Sequence, residues 1–296
     1  MRFQFIETYR DEFPVTRMCQ VLNVSRSGYY DWRQRRPSQR EMANRELLEK
    51  IKAVHEESHG IYGSPRVYRE LNAQGVACSE NRVARLMRRH GLQGQQVKAY
   101  KVTTKADETH PVAPNLLDGD FTAERPDEKW LADISYIPTQ EGWLYLAAIM
   151  DLYSRRIVGW AMASRMTSSL VESALTMAIR QRRPAAGLIH HSDRGSQYTG
   201  SAYQKLLKSN LMLASMSSTG NCYDNAPMES FLGTLKTEWV HHRRYRTREE
   251  AKTDIFFYIE GFYNRRRRHS ALDYMSPAEF ERTYHEESTL TLCPVN

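Results

Sequence analysis

Hydrophobic positions near the start of the chain recur at helical spacing and predict a helix-turn-helix-like segment over residues 1–40. A short helix over 15–22 is followed by a turn at Asn23, and Ser25 can cap a second helix. Three aromatic residues in that second helix allow a plainer alternative, an ordinary helical hairpin with an aromatic core. The pattern of this segment alone leaves both interpretations open.

A second unit, over residues 41–105, carries a clearer helix-turn-helix pattern. One helix opens at Ser64, Gly75 interrupts it, and Ser79 caps the next helix, over 80–89. The apolar positions of this last helix fall at i, i+3 and i+4, which turns its arginines outward. Such a helix is suited to DNA phosphates and base edges, and a solvated basic face is the alternative. The outward arginines are Arg82, Arg85, Arg88 and Arg89.

From residue 130 onward the hydrophobic pattern changes from helical to strand-like. Three apolar runs separated by short polar breaks predict an antiparallel meander, and a helix, a strand, a helix and a strand follow. The predicted strands cover residues 130–137, 143–151, 155–163, 187–191 and 211–215, and the predicted helices cover 169–180 and 202–208. This order predicts an α/β (α+β) catalytic core within residues 123–285, although several α+β folds share it.

Beyond Glu238 the same region continues as a basic helical extension. An apolar stripe over 255–263 predicts packing against the catalytic core, and residues 286–296 form a tail. Four consecutive arginines follow the stripe. We favour phosphate contacts for Arg266 and Arg267 over a merely solvated loop.

Charge is distributed unevenly along the chain. Residues 1–100 contain 18 Lys+Arg and 11 Asp+Glu, a balance of 18 − 11 = +7, whereas residues 101–296 contain 24 of each and balance to zero. A basic first third is typical of DNA-binding proteins, and a solvated basic surface is the alternative. Residues 106–128 hold seven acidic residues against one arginine, with three prolines, which predicts an acidic linker over 106–122.

Composition predicts a cytoplasmic globular protein. A length of 296 residues suits about two domains, and 41% hydrophobic with 26% charged residues is ordinary for a chain that builds a core. No apolar run approaches the ~18 residues that a membrane helix needs, and the N-terminus lacks the layout of a signal peptide. The four cysteines are far apart and form no CxxC pair, which favours a reduced compartment over a disulfide scaffold.

Three acidic residues stand where a carboxylate is unusual. Asp133 interrupts the first predicted strand, Asp193 follows an apolar run at a glycine turn, and Glu229 lies in the first helical turn after a proline. A buried acid is costly unless something pairs with it. Three converging acids would pair with metal ions.

The sequence around each acid resembles one family. The three stretches are Asp133–Tyr136 (DISY), His191–Tyr198 (HSDRGSQY) and Asn225–Phe231 (NAPMESF). With 35 residues between Asp193 and Glu229, and Lys236 seven positions further on, they resemble the DDE pattern of second-frame (OrfB-type) transposases of the third insertion-sequence family. These transposases are relatives of retroviral integrases, and the resemblance covers nearly the whole chain.

The resemblance implies a ribonuclease H-like fold, a mixed five-stranded sheet with flanking helices, and a metal-dependent polynucleotidyl transferase. Asp133, Asp193 and Glu229 would be the catalytic residues and the ligands of two Mg²⁺ ions, for which Mn²⁺ can substitute, because hard cations prefer carboxylate oxygens. Lys236, two helical turns after Glu229, would face the same site and contact DNA.

The predicted function is a transposase that binds double-stranded insertion-sequence ends, nicks them and joins the freed 3′-hydroxyl to target DNA. The resemblance implies a copy-out route, and we expect a homo-oligomer in the bacterial cytoplasm, on the nucleoid when bound to DNA. Two alternatives stay open: a phage- or retrovirus-type integrase, and a DNA-binding regulator descended from a transposase. The sequence also leaves open whether the chain works alone, with an upstream helix-turn-helix partner, or fused to one by frameshifting.

Overall fold

A computed structural model describes residues 1–95, 113–217 and 225–292 of this chain, with side chains described as far as residue 287. Residues 1–95 are built from helices. These are α1 (Arg2–Thr8), α2 (Val15–Val21), α3 (Arg26–Gln34), α4 (Gln39–Glu57), α5 (Ser64–Ala73) and α6 (Glu80–Arg89). No helix of the described residues is both long and apolar enough to cross a membrane.

Helices α1 to α3 form a small unit with its own hydrophobic core, made by Ile6, Met18, Cys19 and Tyr29. The predicted turn and cap are present, since Asn23 has a φ of 50° and the Ser25 hydroxyl accepts a hydrogen bond from the Gly28 amide at 3.0 Å. Tyr29 is fully buried and donates its hydroxyl proton to Glu7. An aromatic core fits a helix-turn-helix and a plain hairpin equally, so a DNA contact by this segment stays a prediction.

Helices α4 to α6 form the second unit. Gly75 turns the chain toward α6 with a φ of +75°, a conformation that favours glycine, and the Ser79 hydroxyl accepts from the Arg82 amide at 3.4 Å. The three predicted inward residues of α6, Val83, Leu86 and Met87, are buried. Their core is continuous with that of the catalytic region. The shared cluster includes Leu47, Ile51, Val67, Leu71, Val83, Leu131, Leu232, Trp239 and Phe262.

A mixed five-stranded sheet forms the catalytic core. Its strands are β1 (Lys129–Thr139), β2 (Gly142–Asp151), β3 (Ile157–Ala163), β4 (Ile189–Ser192) and β5 (Leu213–Met216). They lie in the order β3-β2-β1-β4-β5, with β1, β2 and β3 antiparallel and β1, β4 and β5 parallel. The predicted meander, later strands and mixed sheet are confirmed.

Helices pack on both faces of the sheet because successive residues of β1 point to opposite sides. Trp130 belongs to the core that contains α7 and α9 residues, whereas Leu131 belongs to the core that contains α10 and α11 residues. Asp133 has the parity of Leu131 and so lies on the α10 side of the pleat. These helices are α7 (Ser168–Arg182), α8 (Ser196–Thr199), α9 (Ser201–Ser209), α10 (Ala226–Glu238) and α11 (Arg248–Phe256).

The C-terminal extension is helical, as predicted. It contains a 3₁₀ helix (Val240–His242), a π-helix (Phe257–Tyr263) that continues α11, a second 3₁₀ helix (Ser270–Leu272) and α12 (Pro277–Leu292). Tyr258, Ile259 and Phe262 of the predicted apolar stripe are buried in the shared core. Helix α12 runs through residue 286, so the predicted start of a tail there falls inside a helix rather than at its end.

Part of the predicted acidic linker is packed structure. Residues 106–112 lie outside the described residues, and residues 113–122 lie against the sheet. The Leu116 amide donates to the Ser215 hydroxyl at 2.9 Å, the Met216 amide donates to the Pro114 carbonyl at 3.3 Å, and Leu117 is buried. These two hydrogen bonds therefore hold this half of the linker to β5, and Leu117 packs into the core that contains α10 and α11 residues.

Candidate active site

Asp133 lies in β1 where the neighbouring strand stops. Strand β4 pairs with β1 only over Lys129–Leu131, whereas β2 pairs along the whole of β1 and places Ala148 opposite Asp133. The edge of β1 beyond Leu131 is therefore open on the β4 side. The Asp133 carboxylate is half-buried and accepts a hydrogen bond from the Ile134 amide at 2.7 Å.

Asp193 directly follows β4 and lies at the same edge of the sheet. Its Oδ1 accepts a hydrogen bond from the Gly195 amide at 2.9 Å. A Cβ at Gly195 would lie 3.0 Å from that oxygen, so glycine permits the close turn that holds the carboxylate. The predicted position at the end of a strand, before a glycine turn, is confirmed.

Glu229 and Lys236 project from α10, which begins beside the open edge of β1. Asn225 occupies the N-cap position, but its side chain makes no capping bond, and its Nδ2 donates to the Ala132 carbonyl at 3.1 Å. This bond fixes the first turn of α10, and hence Glu229, against the residue that precedes Asp133.

The charges of these side chains act on one another. Burial, followed by the charge of Asp193 and then that of Glu229, raises the pKa of Asp133 to about 7, although the Ile134 amide and Lys236 oppose the rise. Burial also raises the pKa values of Asp193 and Glu229 and lowers that of Lys236, which the charge of Asp133 opposes. The four side chains therefore belong to one electrostatic site.

The site has the donor chemistry of a hard divalent cation. Its ligand candidates are carboxylate oxygens, and carboxylates that raise one another's pKa are stabilised by added positive charge. Within the described ranges, no three His, Cys, Asp or Glu side chains lie close enough together to hold a single ion. Residues 218–224, which lead into α10, lie outside those ranges.

This site predicts an unusual dependence of stability on pH. Because the pKa of Asp133 is raised, the native protein keeps a proton between pH ~4 and ~7 that the unfolded chain releases, so stability falls as pH rises through this window. We expect Asp133→Asn, which imitates the protonated acid, to match the unsubstituted protein near pH 4 and to exceed it in stability at pH 8. Urea denaturation in EDTA at both values measures this. Asp11→Asn, at an exposed carboxylate, is the control, and equal stabilities at pH 8 would contradict the prediction.

Three of the four predicted arginines of α6 face outward as expected, and Arg82 does not. Arg85, Arg88 and Arg89 are exposed, and Arg82 is half-buried with its Nε donating to Asn44 Oδ1 at 2.9 Å. The bond between Arg82 and Asn44 anchors α6 to α4. Three arginines of α6 therefore face solvent, and Arg82 lies at the edge of the exposed face of the helix.

The structure separates Arg266 from Arg267. Arg266 is exposed, whereas Arg267 is 5% exposed and donates to both carboxylate oxygens of Glu238, at 2.7 and 2.6 Å. The prediction of Arg267 as a DNA contact is wrong, because its guanidinium is held in a buried ion pair. No local pattern indicates this pair, because its partner lies 29 positions away and outside the arginine run.

His190 and His191, which precede Asp193, are held by the sheet. His190 Nε2 bonds the Tyr203 hydroxyl at 3.0 Å, and His191 bonds the Ser215 and Ser217 hydroxyls at 2.8 and 3.1 Å. Burial, and next the charge of His191, lowers the pKa of His190 to about 3, so that ring stays neutral. The hydrogen bonds of both rings therefore join β4 to α9, to β5 and to the residue after β5.

Comparisons with known proteins identify the family. The integrase core domain family matches residues 123–222, a second integrase core domain family matches 212–277, and the HTH-like domain family matches 42–100. The "Insertion element IS600 uncharacterized 31 kDa protein" of Shigella sonnei is 49% identical over 269 residues, 91% of this chain and 99% of the relative. "Transposase InsF for insertion sequence IS3A" of Escherichia coli (strain K12) is 42% identical over 283 residues, 95% of this chain and 98% of the relative. The chain belongs to the IS3 family of transposases.

Solved structures similar to this IS3-family chain include retroviral integrases. The HTLV-2 integrase catalytic core domain in complex with magnesium (dimeric form) covers 54% of this chain and 99% of its own, at 15% identity and a TM-score of 0.42. The simian T-cell lymphotropic virus intasome in complex with PP2A regulatory subunit B56 gamma covers 78% and 74%, at 14% identity and a TM-score of 0.46. The predicted family and fold class, and with them membership of the polynucleotidyl transferases, are confirmed.

Proposed function

We propose that this IS3-family chain binds the double-stranded ends of an insertion sequence, nicks them and joins the freed 3′-hydroxyl to target DNA at the site of Asp133, Asp193 and Glu229. The observation that carries the proposal is the convergence of three acids at one sheet edge, where Asp193 follows β4 and the Asn225–Ala132 bond holds the first turn of α10, with Glu229, against β1 beside Asp133. The charges of Asp193 and Glu229 accordingly raise the pKa of Asp133. Two acids from separate elements that act on a third, at an open sheet edge, form a site for phosphate chemistry rather than a structural ion pair.

Asp133, Asp193 and Glu229 would hold two Mg²⁺ or Mn²⁺ ions. When bound, such ions would align the attacking and leaving oxygens of a phosphoryl transfer and neutralise the charge that develops there. The protein holds the acids and the DNA strand in position. Asn225 fixes α10 against β1, the Gly195 turn fixes the second acid, and Lys236 contacts a phosphate of the bound strand. No side chain is required as a general base, because the nucleophile is water or a DNA hydroxyl.

The metal requirement tests this proposal. The purified chain is incubated with duplex end DNA in Mg²⁺, Mn²⁺, Ca²⁺ or EDTA, with and without an upstream helix-turn-helix partner, and nicked strands are resolved on a denaturing gel. We expect nicking in Mg²⁺ and Mn²⁺, binding with little nicking in Ca²⁺, and neither nicking nor joining in EDTA. Full nicking in EDTA would overturn the metal assignment.

The same experiment separates the alternatives. Binding without nicking in every metal, even with the partner supplied, would favour a regulator descended from a transposase. Activity only on ends that are already linear would favour a phage- or retrovirus-type integrase. Sedimentation of the protein with and without DNA tests the expected homo-oligomer.

We further propose that α6 binds DNA through its exposed arginines, supported by Lys236 and by Arg266. The charge surplus of the first third and the outward positions of Arg85, Arg88 and Arg89 support this assignment. The half-buried Arg82 would contact DNA only from the edge of the helix, because its Nε is engaged by Asn44.

We expect Arg85→Ala with Arg88→Ala to weaken binding to end DNA. A lost base contact costs about 1–3 kcal/mol, and a lost phosphate contact lowers the slope of log affinity against log salt by about 1. Fluorescence anisotropy at several salt concentrations measures both effects. Arg45→Ala, which removes an exposed cation of α4 paired with Glu41, is the control. An unchanged affinity and slope would place recognition on another surface.

A further inference from the structure

Two large aromatic rings are exposed at the tip of the β1–β2 hairpin, beside the proposed site. Tyr136 is 44% exposed and Trp143 is 49% exposed, whereas Trp130 and Trp239 of the same region are 0% and 1% exposed. Their ring centroids lie 5.0 Å apart at an interplanar angle of 78°, an edge-to-face pair. We call these two rings the hairpin shelf.

The backbone that carries the hairpin shelf is firmly held. The Arg248 guanidinium donates to the Trp143 carbonyl at 3.0 Å and to the Glu141 carbonyl at 2.6 Å. The Gln140 amide donates to the Tyr245 carbonyl at 3.0 Å. Because α11 and the segment before it fix both sides of the turn, the rings lose little freedom when a ligand stacks on them.

A cation connects the shelf to the acids. Lys236 Nζ lies 4.5 Å from the centroid of the Tyr136 ring, and its charge also acts on Asp133. Tyr136 is three residues beyond Asp133 on β1, which is about 10 Å along the strand. That distance corresponds to about three base steps of a DNA strand at ~3.4 Å each. Tyr136 has the opposite parity to Asp133, so its ring lies on the other face of the pleat, and Lys236 of α10 reaches that ring past the edge of β1 that β4 leaves uncovered. A strand with one phosphate at Asp133 that follows this edge reaches the shelf with a nearby nucleotide.

We propose that the hairpin shelf stacks one unpaired base of the DNA strand that is bound at Asp133, while Lys236 contacts a phosphate between the two. Trp143, the more exposed ring, takes the base, and Tyr136 supports it edge-on. This inference rests on the proposed function of the three acids. It adds one feature of the substrate, which is that the terminal base pairs of the bound DNA end are open. Aromatic rings accept any base by stacking, so the shelf acts without regard to sequence.

A nucleobase fits this surface better than an apolar protein segment does. The exposed surface is two rings wide and is bordered by the ammonium of Lys236, so it joins a π face to a positive charge. A DNA strand presents the matching pair, a flat base beside a phosphate. A second copy of the chain would need a larger apolar surface to form a stable contact.

The test uses the full-length chain carrying Glu229→Gln, so that chemistry does not change the DNA. End duplexes carry 2-aminopurine at each of the first five positions from the nicked phosphate, fully paired or with those positions unpaired. We expect fluorescence at one position to be quenched by stacking and to recover in Trp143→Ala. Affinity for the unpaired end should fall roughly 5- to 150-fold in that variant, and much less for the paired end.

Trp143→Phe should restore both the quenching and most of the affinity, because the ring is kept. Phe256→Ala, at a ring that is 50% exposed and packs beside Trp160 of β3, is the matched control and should change neither. Equal losses on paired and unpaired ends, or no loss at all, would overturn the proposal. A Trp143→Ala shift in sedimentation without DNA would overturn it in favour of a subunit contact.

The two proposals fail separately. If the chain nicks DNA and quenching is unchanged in Trp143→Ala, the stacking proposal is overturned and the catalytic assignment of the acids stands. Position-specific quenching in a chain that never nicks would remove the catalytic assignment and leave a stacking surface.

Discussion

We expect Glu229→Gln to abolish both nicking and strand transfer and to leave binding to end DNA intact or slightly tighter. The substitution keeps the size of the side chain and removes the charge that one cation would need. In the proposed function a single site serves both steps, so both should fall together. Binding gains slightly because a negative charge facing phosphate is gone. Glu229 is exposed on the first turn of α10, so its loss leaves the packing unchanged. Gel assays of each step and anisotropy of binding measure the three outcomes.

Two control substitutions test whether this loss of activity is specific to Glu229. Glu249→Gln also removes an exposed acid from the first turn of a helix, α11, and should keep full activity. Asp151→Asn removes an acid that also ends a strand, but Asp151 is fully buried and accepts hydrogen bonds from the Asp127 amide and from the amide and hydroxyl of Ser154. An amide cannot accept all three as well, so this variant must first show a cooperative melt. Folded Asp151→Asn that is as inactive as Glu229→Gln would mean that the three acids are assigned wrongly.

Local pattern was enough to place the acids on their elements. Period-two alternation placed Asp133 in a strand, and an apolar run ending at a glycine placed Asp193 at a strand end, because both depend only on neighbouring residues. The hydrogen bond between Asn225 and the Ala132 carbonyl could not be predicted from local sequence, because it joins residues 93 positions apart. An asparagine before a proline has the same local pattern whether its side chain caps the helix or reaches a strand.

Which charged side chains are buried was harder to predict from the sequence than which elements carry the acids. Arg267 stands in a run of four arginines whose composition favours a solvated or DNA-binding loop. Only the fold shows that Arg267, which follows the π-helix, points inward toward α10. The hairpin shelf was missed for a similar reason. Tyr136 and Trp143 alternate like core residues, but Tyr136 is exposed where the short β4 leaves the end of β1 uncovered, and Trp143 lies beyond the last pair of β2 with β3, Tyr145–Ala163.

Loss of the Glu238 carboxylate should destabilise the folded chain more than any surface substitution. Glu238 is 2% exposed at the end of α10, and it accepts two hydrogen bonds from Arg267. The guanidinium of Arg66, from α5, lies 3.5 Å away, and the Tyr258 hydroxyl donates at 3.4 Å. Removing the acid leaves a buried arginine unpaired, which costs about 3–5 kcal/mol. Urea denaturation of Glu238→Ala measures this as a loss of unfolding free energy.

The reason for that cost can be tested by restoring the balance of charge. Glu238→Met combined with Arg267→Met removes both buried charges and should recover most of the stability, because an apolar pair of similar volume needs no desolvation. Glu41→Ala, which breaks the exposed pair with Arg45 at 3.0 Å, should cost no more than about 0.5 kcal/mol. Since α10 also carries Glu229, and Arg66 belongs to the second helix-turn-helix unit, the same ion cluster joins the helices of that unit to α10. Glu238→Ala that loses less than ~1 kcal/mol, or a double variant no better than the single one, would show that this cluster is not what holds the two together.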